Sequence, residues 1–194
     1  MGVGPRDNEC MTTILEREVK LRFASVTEAR ESILAAGATP LRGRRLREDW
    51  LLDSREDALR IRRCVLRIRV ESGRSFITFK GPVQPSPMKL REEIETVIGD
   101  GEQLLRIFEA LGFRVWYRYQ KYREEFSCED VIVALDETPV GIYVEIEGGE
   151  RGIMEMASAL GRSPADYLLD SYRGLFVKYC QEHGLDADHM VFDE

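Results

Sequence analysis

Long apolar runs are missing from this chain. The longest, such as residues 131–135, fall far short of the roughly 18 that a membrane helix needs. No charged-then-apolar leader opens it, which argues against secretion. Its start, Met-Gly-Val-Gly-Pro-Arg, lacks the hydroxyl residue at position six of a myristoylation signal. Cysteine is sparse: Cys10, Cys64, Cys128 and Cys180 form no CxxC pair, so neither a zinc site nor a disulfide scaffold is indicated. A reduced cytoplasmic compartment is the plain reading. Only two histidines occur, His183 and His189, both in a polar C-terminal stretch where they read as solvated. Net positive charge is absent too. A formal charge of −7 repels polyanions, so general nucleic-acid binding is not expected, nor is a membrane partner. Any phosphate site must be local and concentrated.

The 194 residues suffice for one sizeable core, with no repeat or linker to divide them. Residues 1–11 read as a loose tail and 12–194 as a single domain. Period-two alternation predicts strands over 14–23, 45–53, 61–70, 75–80, 89–98, 114–127, 130–136 and 140–147. A helix follows the first strand, capped by Ser25 or Thr27 and ended at Gly37. A second fills 101–112, with Leu104, Leu105, Ile107, Phe108 and Leu111 at helical spacing. The C-terminal part is helical, with Ser163 as a cap and Pro164 at a first helical position. This order gives an α+β fold, and a closed eight-stranded antiparallel β-barrel with helices packed outside is the specific expectation.

One strand face recurs in charge. Glu16, Glu18, Lys20 and Arg22 share a face, opposite Val19, Leu21 and Phe23. Arg67 and Arg69 share another, as do Lys89, Arg91, Glu93 and Glu95. Lys121, Arg123 and Glu125 line up, Lys80 and Asp136 end their strands, and Tyr143, Glu145 and Glu147 face one way. A single charged face is ordinarily the wet side of a sheet. Six together, in a sheet long enough to close, become a lumen. An interior with this many charges is not a dry core, because unpaired buried charge is costly. Either the charges satisfy one another, or the cavity is wet and takes a highly charged ligand. A polyphosphate with a hard divalent cation matches both sets: Arg and Lys fork onto phosphate oxygens, and carboxylates without Cys or His suit Mg²⁺ or Mn²⁺. Trp50, on the face of Leu46 and Leu52, reads as core, with stacking on a ligand ring as the alternative.

The motifs Glu16-Arg17-Glu18-Val19-Lys20 (ExExK), LRIR at 66–69, TFKGP at 78–82, REEIE at 91–95, KYR at 121–123, LDETPVG at 135–141, EIEG at 145–148 and SY at 171–172 occur in this order. Together they resemble the CYTH superfamily, the triphosphate tunnel metalloenzymes, over nearly the whole chain. That group includes class IV adenylate cyclases, thiamine triphosphatases and inorganic triphosphatases. The resemblance implies an eight-stranded tunnel that binds a triphosphate and one or two divalent metals. By motif, Glu16, Glu18, Glu145 and Glu147 would hold Mg²⁺ or Mn²⁺, helped by Asp136 or Glu93. Lys20, Arg67, Arg69, Lys80, Arg91, Lys121 and Arg123 would hold phosphates, and Glu16, Glu18, Lys20 and Lys80 would carry catalysis. Two motifs depart from the cyclase pattern. MTTILEREVK lacks the His-Phe pair many class IV cyclases carry there, and Asp49-Trp50-Leu51-Leu52-Asp53 replaces DTYFD. Hydrolysis of tripolyphosphate, ATP or thiamine triphosphate is therefore favoured over cyclisation of ATP, with a non-catalytic polyphosphate-binding module as the reading of another class. A homodimer is an expectation from the resemblance alone, and Tyr172 is a candidate to close one end of the tunnel, with a packing role in SYRGLF as the equal alternative.

Overall fold

Hairpins build most of the wall. In the computed structural model, which describes residues 14–193, eight strands alternate in direction: β1 (Ile14–Phe23), β2 (Thr39–Ser54), β3 (Val65–Glu71), β4 (Arg74–Lys80), β5 (Lys89–Ile98), β6 (Phe113–Cys128), β7 (Val131–Thr138) and β8 (Gly141–Glu147). They close into an antiparallel barrel in the order β1-β5-β4-β3-β2-β6-β7-β8. The β3–β4 turn has Ser72 and Gly73 at φ of 49° and 74°, the left-handed pair that matches the twist of a two-residue hairpin. Five helices accompany the barrel: α1 (Val26–Ala35), α2 (Ala58–Ile61), α3 (Gly101–Ala110), α4 (Glu150–Ala159) and α5 (Tyr172–His183). Among the described residues no helix is long and apolar enough to cross a membrane. The tail expected for residues 1–11 lies outside the described residues.

The larger of two apolar clusters lies outside the barrel. Val19, Leu21, Val133, Leu135, Val144 and Ile146 from β1, β7 and β8 pack against Ala29 and Ile33 of α1 and Ile153, Met156 and Ala157 of α4. Period-two alternation makes this obligatory: with one face of each strand buried under helices, the charged face turns inward. Of the two cap candidates for α1, Ser25 accepts the Glu28 N–H at 3.1 Å. At the start of α4, Gly148 has φ 154°, and a Cβ there would stand 2.8 Å from the Asp130 carbonyl oxygen, so the helix packs this close only because the residue is glycine.

Three elements differ from the sequence expectation. The strand expected from residue 61 begins at Val65, because the fully buried Asp53 carboxylate accepts the N–H groups of Ser54, Leu59 and Arg60 and winds residues 58–61 into α2. β2 starts at Thr39 rather than 45, since β6 is long enough to pair with all of it. The C-terminal helix is broken. Pro164–Asp166 form a single 3₁₀ turn, and the chain then runs extended to Ser171. β5 pairs with β1 only as far as Glu18, so the Lys20 carbonyl is free to accept the Leu168 N–H at 2.8 Å. That bond ties Leu168 to β1 as an extended bridge, and α5 begins beyond it at the Ser171 cap.

Candidate active site

The lumen is a cavity of about 470 Å³, within the roughly 300–1,000 Å³ typical of small-molecule sites. Its lining contains eleven Lys or Arg residues and seven Glu residues. Asp49 and Asp136 stand behind this lining, paired with Arg69 and Arg123, and the balance stays positive with both counted. A chain with a net charge of −7 thus keeps an excess of cations in one cavity.

Register explains how so many charges coexist. Glu16 lies opposite Arg91, Lys20 opposite Glu145, Asp49 opposite Arg69, Lys80 opposite Glu93 and Arg123 opposite Asp136 on neighbouring strands. Two groups result. In the first, Lys80 Nζ donates to Glu16 at 2.7 and 2.8 Å and pairs with Glu93 at 2.7 Å, while Lys89 Nζ donates to Glu18 at 2.5 Å. Burial, and then repulsion from Glu18 and Glu93 set against the pull of Lys80, leave the Glu16 carboxyl raised. Glu18 is also pushed up by burial, but Lys89, Lys20 and Lys80 prevail and hold it down at about 2. Glu147 has no ion pair among the described residues. It stands at the exposed rim, where surrounding protein and repulsion from Glu16 and Glu18 push it up to about 7.

The second group centres on Asp136, which is 0% exposed. It accepts from Lys121 Nζ at 2.9 Å, from Arg123 Nε at 2.6 Å and from the Tyr172 hydroxyl. Glu145 pairs with Lys20 at 2.9 Å and with Arg123. Burial and repulsion from Arg123 pull the Lys121 ammonium down to about 7, against Asp136 and Glu145. Lys20 and Lys121 lie 4.7 and 4.4 Å from the Tyr172 ring centroid, a cation–π pair that adds to their desolvated environment. Arg67 and Arg69 share Asp49 at 3.4 and 2.9 Å, and Arg67 also donates to Thr78 Oγ1 at 3.0 Å. Arg91 donates Nε to the Gly81 carbonyl at 3.0 Å, and its buried Nη2 has no partner among the described residues.

All the cations singled out from sequence for phosphate, Lys20, Arg67, Arg69, Lys80, Arg91, Lys121 and Arg123, line the cavity, as do Glu16, Glu18, Glu93, Glu145 and Glu147. Asp136 is turned to its three donors instead. Arg22 shares their strand parity but is exposed beyond the lumen. Among the described residues no three potential ligating groups already converge on one metal position; Lys80 and Lys89 ammonium groups stand between the carboxylates. The donor chemistry nonetheless suits a hard divalent cation. It is all carboxylate oxygen, and the mutual repulsion felt at Glu16 and Glu147 is what such a cation relieves.

Other residues of the lumen were not marked by the sequence motifs. Arg45 and Arg47 pair with Glu71 and Glu125, and Asp49 anchors Arg67 and Arg69. Their signal is the alternation Arg45, Arg47, Asp49, Leu51, Asp53, visible only once β2 is known to share the inward parity. Trp50 lies on the opposite parity and does not line the cavity, whereas Trp116 does. Tyr172 and Phe176 of α5 pack onto lumen-facing Leu51, Tyr117 and Tyr119, so α5 covers this part of the lumen. His189 is not simply solvated: its Nδ1 accepts the Arg118 N–H at 3.2 Å.

A family model for the CYTH domain matches residues 15–166. A Methanocaldococcus jannaschii protein provisionally named an adenylate cyclase is 30% identical over 176 residues, 84% of this chain and 100% of that one. A solved Pyrococcus horikoshii structure is 26% identical with a TM-score of 0.71, covering 84% of this chain and 98% of its own. A Hippeastrum protein provisionally named an adenylyl cyclase, and described as having a dominant triphosphatase activity, shares the fold at 19% identity and a TM-score of 0.62, over 88% of this chain and 97% of its own.

Proposed function

Because this chain belongs to the CYTH domain family, we propose that its lumen binds a triphosphate and hydrolyses it with Mg²⁺ or Mn²⁺. The observation that carries this reading is the cationic excess of the lumen in an acidic chain, set beside a carboxylate cluster of its own. Arg67, Arg69, Arg91, Lys121 and Arg123 would take the phosphate oxygens, with Lys20 and Lys80 between them and the carboxylates. A bound polyanion would draw Lys121 back to its charged form, since an added negative neighbour favours the ammonium. Glu16, Glu18, Glu145 and Glu147, with Glu93 in preference to Asp136, would hold the cation. When bound, that cation supplies charge neutralisation and polarises a phosphoryl oxygen.

No nucleophilic side chain is required, because phosphoryl transfer is mostly positioning and charge stabilisation. Water attacks the terminal phosphorus in line, its bond to the bridging oxygen breaks, and phosphate leaves with the shortened diphosphate. Cyclisation is the second reading, favoured by the provisional name of the M. jannaschii relative. There a ribose 3′-hydroxyl attacks the α-phosphorus and pyrophosphate leaves.

Incubation with tripolyphosphate, ATP or thiamine triphosphate, each with Mg²⁺ or Mn²⁺, separates these by product. Free phosphate without cyclic AMP is the expected result, abolished in Glu16→Gln and Glu145→Gln. Cyclic AMP with pyrophosphate overturns hydrolysis in favour of cyclisation. Binding without turnover makes the protein a polyphosphate-binding module.

A further inference from the structure

Part of the cavity wall is neither charged nor needed for phosphate. Leu51, Val65, Trp116 and Tyr117 form one apolar and aromatic stretch of the lining. Trp116 reaches it through a bulge. Leu51 lies opposite Tyr117 but Leu52 opposite Val115, so Trp116 is the extra residue and is re-aimed towards the lumen. Two guanidinium groups flank this indole. Arg60 lies 4.5 Å from a Trp116 ring centroid and Arg173, from α5, lies 4.9 Å away. Arg60 is held from behind: the buried Asp53 carboxylate accepts its N–H at 2.9 Å and that of Leu59 at 2.9 Å, and Asp57 pairs with its guanidinium.

We infer that Trp116 and Arg173 of the cavity wall, with Arg60 packed against the indole, form a subsite for the base of a nucleoside triphosphate. This rests on the reading of the lumen as a triphosphate site and adds which triphosphate it selects. The chemistry discriminates three ways. An indole and guanidinium planes stack on any flat heteroaromatic ring, so a nucleobase gains contact there and bare tripolyphosphate gains none. A thiazolium ring carries a positive charge, and the Arg173 guanidinium repels it, whereas Asp57 already balances Arg60. A neutral base is therefore preferred to thiamine.

The chain has two tryptophans, so Trp50→Phe leaves Trp116 as the only indole reporter. ATP is expected to change its fluorescence, while saturating tripolyphosphate leaves it largely unaltered. Kinetically, Trp116→Ala should lower kcat/KM for ATP about tenfold more than for tripolyphosphate, the scale of one lost base–aromatic stack. Thiamine triphosphate should bind more weakly than ATP, with the gap narrowing in Arg173→Gln. An ATP-induced rise in melting temperature with silent Trp116 fluorescence overturns the subsite, and so do equal kinetic losses for both substrates. Tripolyphosphate that binds and turns over where ATP does neither overturns the subsite alone. No melting shift with either ligand overturns the triphosphate reading itself and the subsite with it.

Discussion

Asp136→Asn is the sharpest probe of how the lumen holds its charge. The substitution keeps the side chain's size and removes its charge, leaving Lys121 and Arg123 to share Glu145, at 3.8 Å from Lys121. Breaking a buried pair by removing one partner costs about 3–5 kcal/mol, a large part of a typical total of about 5–15 kcal/mol. The pH dependence is specific. Folded Lys121 titrates at about 7, below the roughly 10.4 of an unfolded lysine. Between those values the unfolded chain binds more protons, so the Lys121 contribution makes stability rise with pH across that window. Asp136 is the strongest attraction favouring charged Lys121, and losing it moves the folded value lower still. That shift adds to the deficit only where wild-type Lys121 is protonated, below about pH 7. Above it the amine is neutral in both folded proteins, and only the stranded Arg123 contributes. Urea unfolding at pH 6 and pH 9 should show a deficit of about 3–5 kcal/mol at the lower pH. At pH 9 it should be smaller, by up to about 1.4 kcal/mol, because pH 6 lies one unit below the folded Lys121 value. A deficit that is the same at both pH values, or below about 1 kcal/mol at pH 6, would refute the reasoning.

Two further outcomes follow from the same architecture. Tripolyphosphate with Mg²⁺ should raise the melting temperature, with a stabilisation of about 2.7 kcal/mol at a hundredfold excess over Kd, and the shift should shrink as ionic strength rises. A shift indifferent to salt would mean that the cationic lining is not what binds. Ser171→Ala removes the acceptor for the Gly174 N–H at 3.1 Å, costing α5 about 1 kcal/mol, or about 2–4 °C in melting temperature for a chain of this size. Ser171→Asp should recover it; an unchanged melting temperature in Ser171→Ala would show that α5 does not depend on its cap.

The strands and their inward face were legible because alternation is a local property. Glu16, Glu18 and Lys20 on one side of β1, and Val19, Leu21 and Phe23 on the other, need no partner to be read. The same local pattern could not reveal α2, which exists because Asp53 reaches forward to three backbone N–H groups. Nor could it reveal the break before α5, where the N–H of Leu168 meets the Lys20 carbonyl 148 residues away. Trp116 was hidden for a related reason. A bulge is a mismatch between two strands, and neither strand alone carries it.

By itself, then, the sequence determined the inward parity of each regular strand, Trp116 at its bulge excepted, since the period of a strand assigns alternate residues to opposite faces. It could not determine which of those charges pair. Glu93 and Asp136 were equal candidates for a cation, yet Glu93 lines the cavity and Asp136 is enclosed by Lys121, Arg123 and Tyr172. That distinction depends on register across β6, β7 and β5, and on where α5 enters. Pairing energy falls steeply with distance in a low-dielectric interior, so only the tertiary structure, which sets those distances, decides which charges are spent on the wall and which remain for a ligand.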